Sequence, residues 1–198
     1  TMKVLVEKRE IDFAPGENTW GLQIFRETWK DVKTGKEDVY WKYGLPDGVQ
    51  IFALTKNWDV IAVTEERNGI TYTHCVGETM EEHELPATPE SILKTANRGL
   101  LEETGYQAGS LEILCSILEN SRKSERLIHH VLAQDCVPVG IPEEHIQVNL
   151  YEPFWFWTLL LEYLLTDPFS KHAGGNTLQA ATLAFHRLGL LSCREGLS

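Results

Sequence analysis

The chain has 198 residues, an ordinary apolar fraction for a globular protein and a formal net charge of −11. That length fits one domain, or one domain with an appendage. The acidic balance argues against non-specific binding to nucleic acid, which needs clustered lysines and arginines. A metal-bridged nucleotide stays compatible with this charge, because the metal supplies positive charge.

The chain offers no segment that favours a membrane or a secreted protein. The most apolar stretch, Phe154 to Leu165, is too short to span a bilayer, contains Glu162 and predicts a buried amphipathic helix. The start, TMKVLVEKREIDF, has no uninterrupted apolar run, and we expect no secretory signal there. The four cysteines are far apart and form no CxxC pair, which favours reduced thiols in a cytoplasmic protein.

Residues 1–47 predict short antiparallel strands joined by turns. VLVEKREIDF and TWGLQIFRETW alternate roughly between apolar and polar residues, and VYWKYG follows a loop. The segment is rich in aromatic residues, which indicates either a core or subunit interface, or rings such as Trp20 and Trp41 that stack on a base. The turn LPDG at 45–48 marks its end, so we predict two parts, 1–47 and 48–198.

The second part predicts a mixture of strands and helices. VQIFALT and VIAVTEE flank the turn KNWD, YTHCVG is a third strand, and LEILCSIL, RLIHHVLAQDC and HIQVNLYEP come later. A central helix can be capped by Thr88, begin at Pro89 and stop at Gly105. Further helices lie around Trp157 and after Asn176, which can cap the last one. Without strict βαβ alternation, this order predicts a mixed α/β sandwich rather than a doubly wound parallel sheet.

The end of the central helix carries a cluster of charges. Glu102 and Glu103 are adjacent and repel each other unless a cation or an arginine offsets them. Arg98 precedes Glu102 by four residues and can pair with it. Positions 99 and 103 share a helix face, so two glutamates there would clamp a hard cation, yet residue 99 is Gly99.

This helix resembles the Nudix box, which runs Gly, five residues, Glu, seven residues, Arg-Glu-aliphatic-any-Glu-Glu-any-Gly-aliphatic. The residues that fit are Glu90, Ser91, Ala96, Arg98, Leu100, Glu102, Glu103, Gly105 and Tyr106. YWKYGLPDGVQIFALT and VIAVTEERNGI resemble the opening strands of ADP-ribose pyrophosphatases, SRKSERLIHHVLAQD the strand after their box, and GNTLQAATLAFHRLGLL their closing helix. The resemblance therefore covers nearly the whole chain and implies a Nudix α/β/α sandwich with a mixed sheet, preceded by an antiparallel strand segment.

Two departures from the family pattern bear on activity. Gly99 stands where the family has the glutamate that holds metal together with the residue matched by Glu103. The family's opening Gly-Gly appears as Gly77-Glu78, with twelve residues before the box glutamate instead of five. We interpret this as a loop lengthened by seven residues, since a loop tolerates length better than a tight turn tolerates a Cβ. The other alignment places Glu84 on the first glycine.

The resemblance implies attack by water on a diphosphate, assisted by Mg²⁺ or Mn²⁺. The expected metal ligands are Glu81, Glu102, Glu103 and Glu144, with Glu78 as a further donor in the lengthened loop. In IPEEHIQV, Glu144 or Glu143 is the expected base, unless this stretch is only a solvated acidic turn. His145 is a further candidate proton carrier, and Arg98 is expected to orient the helix acids, Glu102 among them.

The resemblance also suggests a substrate and an oligomeric state. Arg67 lies where related enzymes have an arginine beside the substrate, and Trp20 and Trp41 belong to a segment that, in similar enzymes, exchanges between subunits and contacts the base. We therefore expect a homodimer that hydrolyses ADP-ribose, or a related nucleoside diphosphate sugar, to AMP and ribose 5-phosphate, weakened by Gly99. The alternatives are a module that binds such a nucleotide without cleaving it and a chiefly structural role.

Overall fold

The computed structural model describes residues 2–11, 23–67, 70–119, 123–166 and 175–191. By internal contacts the chain divides into two compact units, Thr1–Asp47 with Ile117–Leu127, and Gly48–Ser116 with Ile128–Ser198. The first division falls within the LPDG turn. The grouping of 117–127 with the N-terminal unit was not predicted from the sequence.

The first unit contains a three-stranded antiparallel sheet. Its strands are, in spatial order, β1 (Lys3–Ile11), β2 (Gln23–Asp31) and β3 (Glu37–Gly44). Glu27 on the central strand is buried. Its carboxylate accepts a hydrogen bond from Trp29 Nε1 at 2.9 Å and lies 3.2 Å from Lys42 Nζ. A buried charge needs such partners, so this cluster is part of what allows the sheet to form.

The second unit is organised around an eight-stranded mixed sheet. Its strands are β4 (Gly48–Thr55), β5 (Val60–Arg67), β6 (Ile70–His74), β7 (Val76–Thr79), β8 (Tyr106–Gln107), β9 (Ser110–Leu118), β10 (Leu127–Pro138) and β11 (Gln147–Tyr151). The order is β11-β5-β4-β10-β8, with β6 on β5, β7 on β4 and β9 on β10. Strand β4 runs parallel to β10 and antiparallel to β5 and β7, so the predicted mixed sheet is confirmed.

The stretch YTHCVG forms two strands, and its prediction as one strand is wrong. The chain breaks at Cys75, so that β6 pairs with β5 while β7 pairs with β4. Cys75 is buried, and its N–H donates to Thr177 Oγ1 at 3.3 Å instead of to a strand. The change of partner carries Glu78 on β7 to the side of the central helix.

The second unit has three α-helices in its described residues, α1 (Pro89–Thr104), α2 (Pro153–Thr166) and α3 (Gly175–Arg187), and a short 3-10 helix at Glu82–Glu84. The predicted ends of α1 are confirmed. Thr88 Oγ1 accepts from the Ser91 N–H at 3.1 Å, and Gly105 ends the helix with φ +72°. The prediction that Asn176 caps α3 is wrong, because this residue lies inside the helix.

Alternate residues of β4 face opposite layers of the molecule. Val49, Ile51 and Ala53 pack in one core with Ile92, Ala96 and Leu100 of α1. Phe52 and Leu54 pack in a second core with Phe156 and Leu160 of α2 and Ala181 and Ala184 of α3. Burial on both faces explains the nearly unbroken apolar sequence of β4. The predicted α/β/α sandwich is therefore confirmed.

Helix α2 departs from the predicted buried amphipathic helix. Phe156 and Leu160 are buried as expected, but the first turn exposes Phe154 by 73% and Trp155 by 68%. Apolar residues therefore lie on more than one side of α2. In the described part of the chain, no helix is long and apolar enough to cross a membrane.

Candidate functional site

Gly99 lies buried on α1, directly against Glu78 of β7. A Cβ built on Gly99 would lie 2.6 Å from Glu78 Cβ, 3.0 Å from its Cγ and 3.2 Å from its Oε2. Carbon atoms do not approach so closely, so Glu78 occupies the space that a side chain at position 99 would need. Glu78, predicted to lie in a loop, thus brings a carboxylate from a strand to the helix face that lacks one.

Glu78 and Glu103 line one cavity of about 150 Å³. The other described residues of its wall are Glu65, His74, Gly77, Glu143, His145 and Ile146. Four carboxylates therefore meet at this cavity, and no lysine or arginine is among the described residues that line it. Such a concentration of carboxylate oxygens suits a hard divalent cation.

Arg98 contacts both Glu78 and the segment that follows β7. Its Nη1 lies 3.4 Å from Glu78 Oε2, and its Nη2 donates to Glu84 Oε2 at 3.1 Å and to the Thr79 carbonyl at 3.2 Å. Nη1 also lies 3.5 Å from carboxylate oxygens of Glu81 and Glu102. One guanidinium thus holds α1 and the segment after β7 together and limits where Glu78 can move.

Burial and hydrogen bonding shift the pKa values of Glu78 and Glu84 in opposite directions. Burial raises the pKa of Glu78. The Thr79 N–H, which donates to the Glu78 carboxylate at 2.7 Å, and nearby Arg98 lower this pKa, but burial has the larger effect. Burial also opposes ionisation of Glu84, but the Glu81 N–H, at 2.8 Å, and Arg98 outweigh it and hold the pKa of Glu84 below its usual value. Of the two, Glu78 is the one protonated first as the pH falls.

His74 is bonded through both ring nitrogens at the wall of the cavity. His74 Nδ1 lies 2.9 Å from the Cys75 carbonyl, and its Nε2 lies 2.8 Å from Glu65 Oε1. These two contacts fix the orientation of the imidazole beside the acidic cavity.

Some of the residues predicted for the site line the cavity, and others do not. Glu103 and Glu143 line the cavity. Glu102 and Glu81 are exposed beside Arg98. Glu144, which the sequence analysis preferred over Glu143, is exposed and is not among the described residues that line the cavity.

None of the predicted substrate contacts is among the described residues that line the cavity. Trp41 is 59% exposed on β3, in the first unit. Arg67 is the last residue of β5, and only its backbone is described. Trp20 lies outside the described residues.

The sequence prediction missed Glu65 and His74. In the pairing of β5 with β6, Glu65 faces Tyr72 and His74 faces Val63, which makes Glu65 and His74 diagonal neighbours on the two strands. The Asn-Gly pair at 68–69 is a strong hairpin signal, and the register it implies would have brought these two side chains together.

The cavity has the right donors for Mg²⁺ or Mn²⁺, in an open arrangement. In the described part of the chain, no three His, Cys, Asp or Glu side chains are grouped so that they could hold a metal ion. Mg²⁺ usually binds one or two carboxylates and completes its shell with water and substrate phosphates. Glu78 and Glu103, which both line the cavity, fit such a partial ligand set.

Comparison with known proteins supports the fold. No family model and no curated protein matches the sequence. A solved structure, described as the crystal structure of ADP compounds hydrolase, matches with a TM-score of 0.70 over 96% of this chain and 95% of that chain. The two chains are 16% identical, so the similarity concerns the fold alone. That fold is the mixed α/β architecture predicted from the sequence.

Proposed function

We propose that this protein hydrolyses a nucleoside diphosphate-linked compound of the ADP-ribose class with the help of Mg²⁺ or Mn²⁺. The observation that carries the proposal is the packing of Glu78 into the space left by Gly99. It brings a strand carboxylate to the cavity that Glu103 also lines, at the helix face that lacks a carboxylate. The fold similarity to an ADP compounds hydrolase supports the substrate class.

In this proposal Glu78 and Glu103 would hold the divalent cation at the cavity. A bound cation would neutralise phosphate oxygens and make a bound water more acidic. Glu143, at the cavity wall, is the base for the attacking water, and His74, bonded to Glu65 at the same wall, is the proposed proton donor to the departing phosphate. The products are AMP and ribose 5-phosphate.

Arg98 acts on this chemistry through Glu78. Its Nη1 lies beside the Glu78 carboxylate, and its Nη2 is bonded to the buried Glu84. Because burial alone raises the pKa of Glu78, a nearby positive charge helps to keep this ligand ionised. Arg98 is therefore a positioning residue in the proposal.

The alternative function is a module that binds the nucleotide without cleaving it. The observation in its favour is that the described residues contain no group of three metal-ligating side chains. Two carboxylates and a substrate phosphate give fewer protein ligands, and each lost electrostatic contact of this kind costs roughly 3–4 kcal/mol of transition-state stabilisation.

A homodimer formed through the first unit is also proposed. Val4 of β1 and Trp41 of β3 are both exposed, Trp41 by 59%. The strand register pairs Val4 with Lys30 and Lys30 with Glu37, so Val4 and Trp41 lie on the same face of the sheet. Exposed apolar residues on one face of a small sheet are typical of a protein interface. Sedimentation velocity should give a dimer mass that becomes a monomer mass when Val4 and Trp41 are replaced by charged residues.

The function is tested by incubating the purified protein with ADP-ribose and Mg²⁺ or Mn²⁺ and measuring AMP by chromatography. We expect AMP from the native protein, and a loss of roughly a hundredfold or more in Glu78→Gln and in Glu103→Gln. Glu82→Gln is the matched control, because Glu82 is exposed in the same segment and is not among the described cavity residues. Tight binding of ADP-ribose by calorimetry with no AMP would contradict hydrolysis and favour the binding module.

A further inference from the structure

A second cavity lies where the turn between β4 and β5 meets the start of α2 and the end of α3. Its volume is about 480 Å³, within the range of cavities that hold small organic molecules. Four of the residues that line it are aromatic: Trp58, Phe154, Trp157 and Phe185. None of the residues that line it belongs to the acidic cavity, so any ligand here is distinct from the proposed diphosphate substrate.

Trp58 occupies this position at a cost to the fold. Its φ is +69°, in the left-handed region that favours glycine or asparagine, and its side chain is 50% exposed. The tight turn fixes that conformation, since Trp58 N–H donates to the Thr55 carbonyl at 3.0 Å and Thr55 N–H to the Asp59 carbonyl at 2.9 Å. Because the ring is half exposed, its burial offsets little of the free-energy cost of the strained backbone. Strain of this kind is typical of ligand sites.

The charges at the cavity select the kind of ligand. Asp59 and Glu152 contribute carboxylates, and no lysine or arginine is among the described residues that line it. Asp59 Oδ2 accepts from Thr55 Oγ1 at 3.4 Å, and Glu152 Oε2 accepts from the Trp155 N–H at 3.0 Å. Each carboxylate keeps a second oxygen for another partner. The surroundings therefore disfavour an anion and favour a cation.

We propose that this cavity binds an apolar organic cation, such as an aromatic quaternary ammonium compound. The faces of tryptophan and phenylalanine rings attract such cations through their electron-rich surface. Trp58 from the turn and the 73% exposed Phe154 from α2 provide rings at the solvent side, while Asp59 and Glu152 provide the opposite charge. The inference is independent of the proposed hydrolase activity and concerns a separate ligand.

The test is calorimetric titration of the full chain, without metal or nucleotide, at physiological ionic strength, where long-range charge effects are screened. The ligand is benzyltrimethylammonium, and neopentylbenzene is its uncharged isostere, with phenylacetate as an anion of similar size. We expect saturable binding of the cation, at least about threefold tighter than the isostere, and weaker binding of phenylacetate. Equal binding of cation and isostere, or no saturable binding of the cation, would overturn the proposal.

Two substitutions separate ligand binding from folding. Trp58→Gly removes the ring and relaxes the backbone, so the thermal midpoint should equal or exceed that of the native protein while cation affinity falls about threefold or more. Phe154→Leu provides a second lining variant with little effect on packing. Trp155→Leu is the matched control, because Trp155 is exposed on the same turn of α2 but is not among the described lining residues. Equal losses in Trp155→Leu and Trp58→Gly would also contradict the proposal.

Discussion

Replacing Gly99 by alanine tests how closely β7 packs against α1. In a helix interior this substitution normally stabilises a protein by about 1 kcal/mol. Here the new Cβ would lie 2.6 Å from Glu78 Cβ, an atom that moves only with the backbone of β7. Overpacking of this kind costs roughly 1–3 kcal/mol. We therefore expect Gly99→Ala to leave the stability unchanged or to lower it by up to about 2 kcal/mol.

A double-mutant cycle isolates the contact. With Glu78→Gly in the background, the opposing Cβ is gone, and Gly99→Ala should then stabilise the protein by about 1 kcal/mol. Urea unfolding of the four proteins, followed by circular dichroism, gives the coupling between the two positions, which we expect to be roughly 1–3 kcal/mol. An equal stabilisation by Gly99→Ala in both backgrounds would refute the close packing.

Three further predictions concern the acidic cavity. Gly99→Glu places a glutamate where the Nudix box, which this helix resembles, has one. It should lower ADP-ribose hydrolysis, and adding Glu78→Gly to it should recover activity in steady-state assays. Burial raises the pKa of Glu78, and only the ionised form binds metal. As the pH is lowered, Mn²⁺ affinity should therefore begin to fall at a higher pH than it would for a site with an exposed glutamate. Glu78→Gln should remove this dependence in pH-resolved calorimetry. Arg98→Met leaves the buried Glu84 without its guanidinium partner and should destabilise the fold by about 1–3 kcal/mol in urea unfolding.

The sequence was a good guide to elements that local interactions define. The ends of α1 follow from a capping side chain at Thr88 and from the left-handed backbone at Gly105, both of which act within a few residues. Strand β4 follows from its apolar run. The break at Cys75 does not, because it depends on which neighbouring strand each half pairs with, and this is decided across the sheet.

The site was less predictable than the fold, because its residues meet through space. The resemblance of α1 to the Nudix box indicated Glu103, which lines the acidic cavity. The space beside Gly99 could not be interpreted from the sequence, because the residue that fills it, Glu78, comes from β7. Which of Glu143 and Glu144 lines the cavity depends on a single residue of register in an irregular loop, for which no periodic pattern exists.

The most direct test is Mn²⁺ binding to the protein without nucleotide, followed by electron paramagnetic resonance of the free ion. If Glu78 replaces the carboxylate missing at Gly99, the native protein binds Mn²⁺ saturably, Glu78→Gln and Glu103→Gln each weaken binding by at least about tenfold, and Glu82→Gln leaves it unchanged. Binding by Glu78→Gln as tight as that of the native protein would contradict the account.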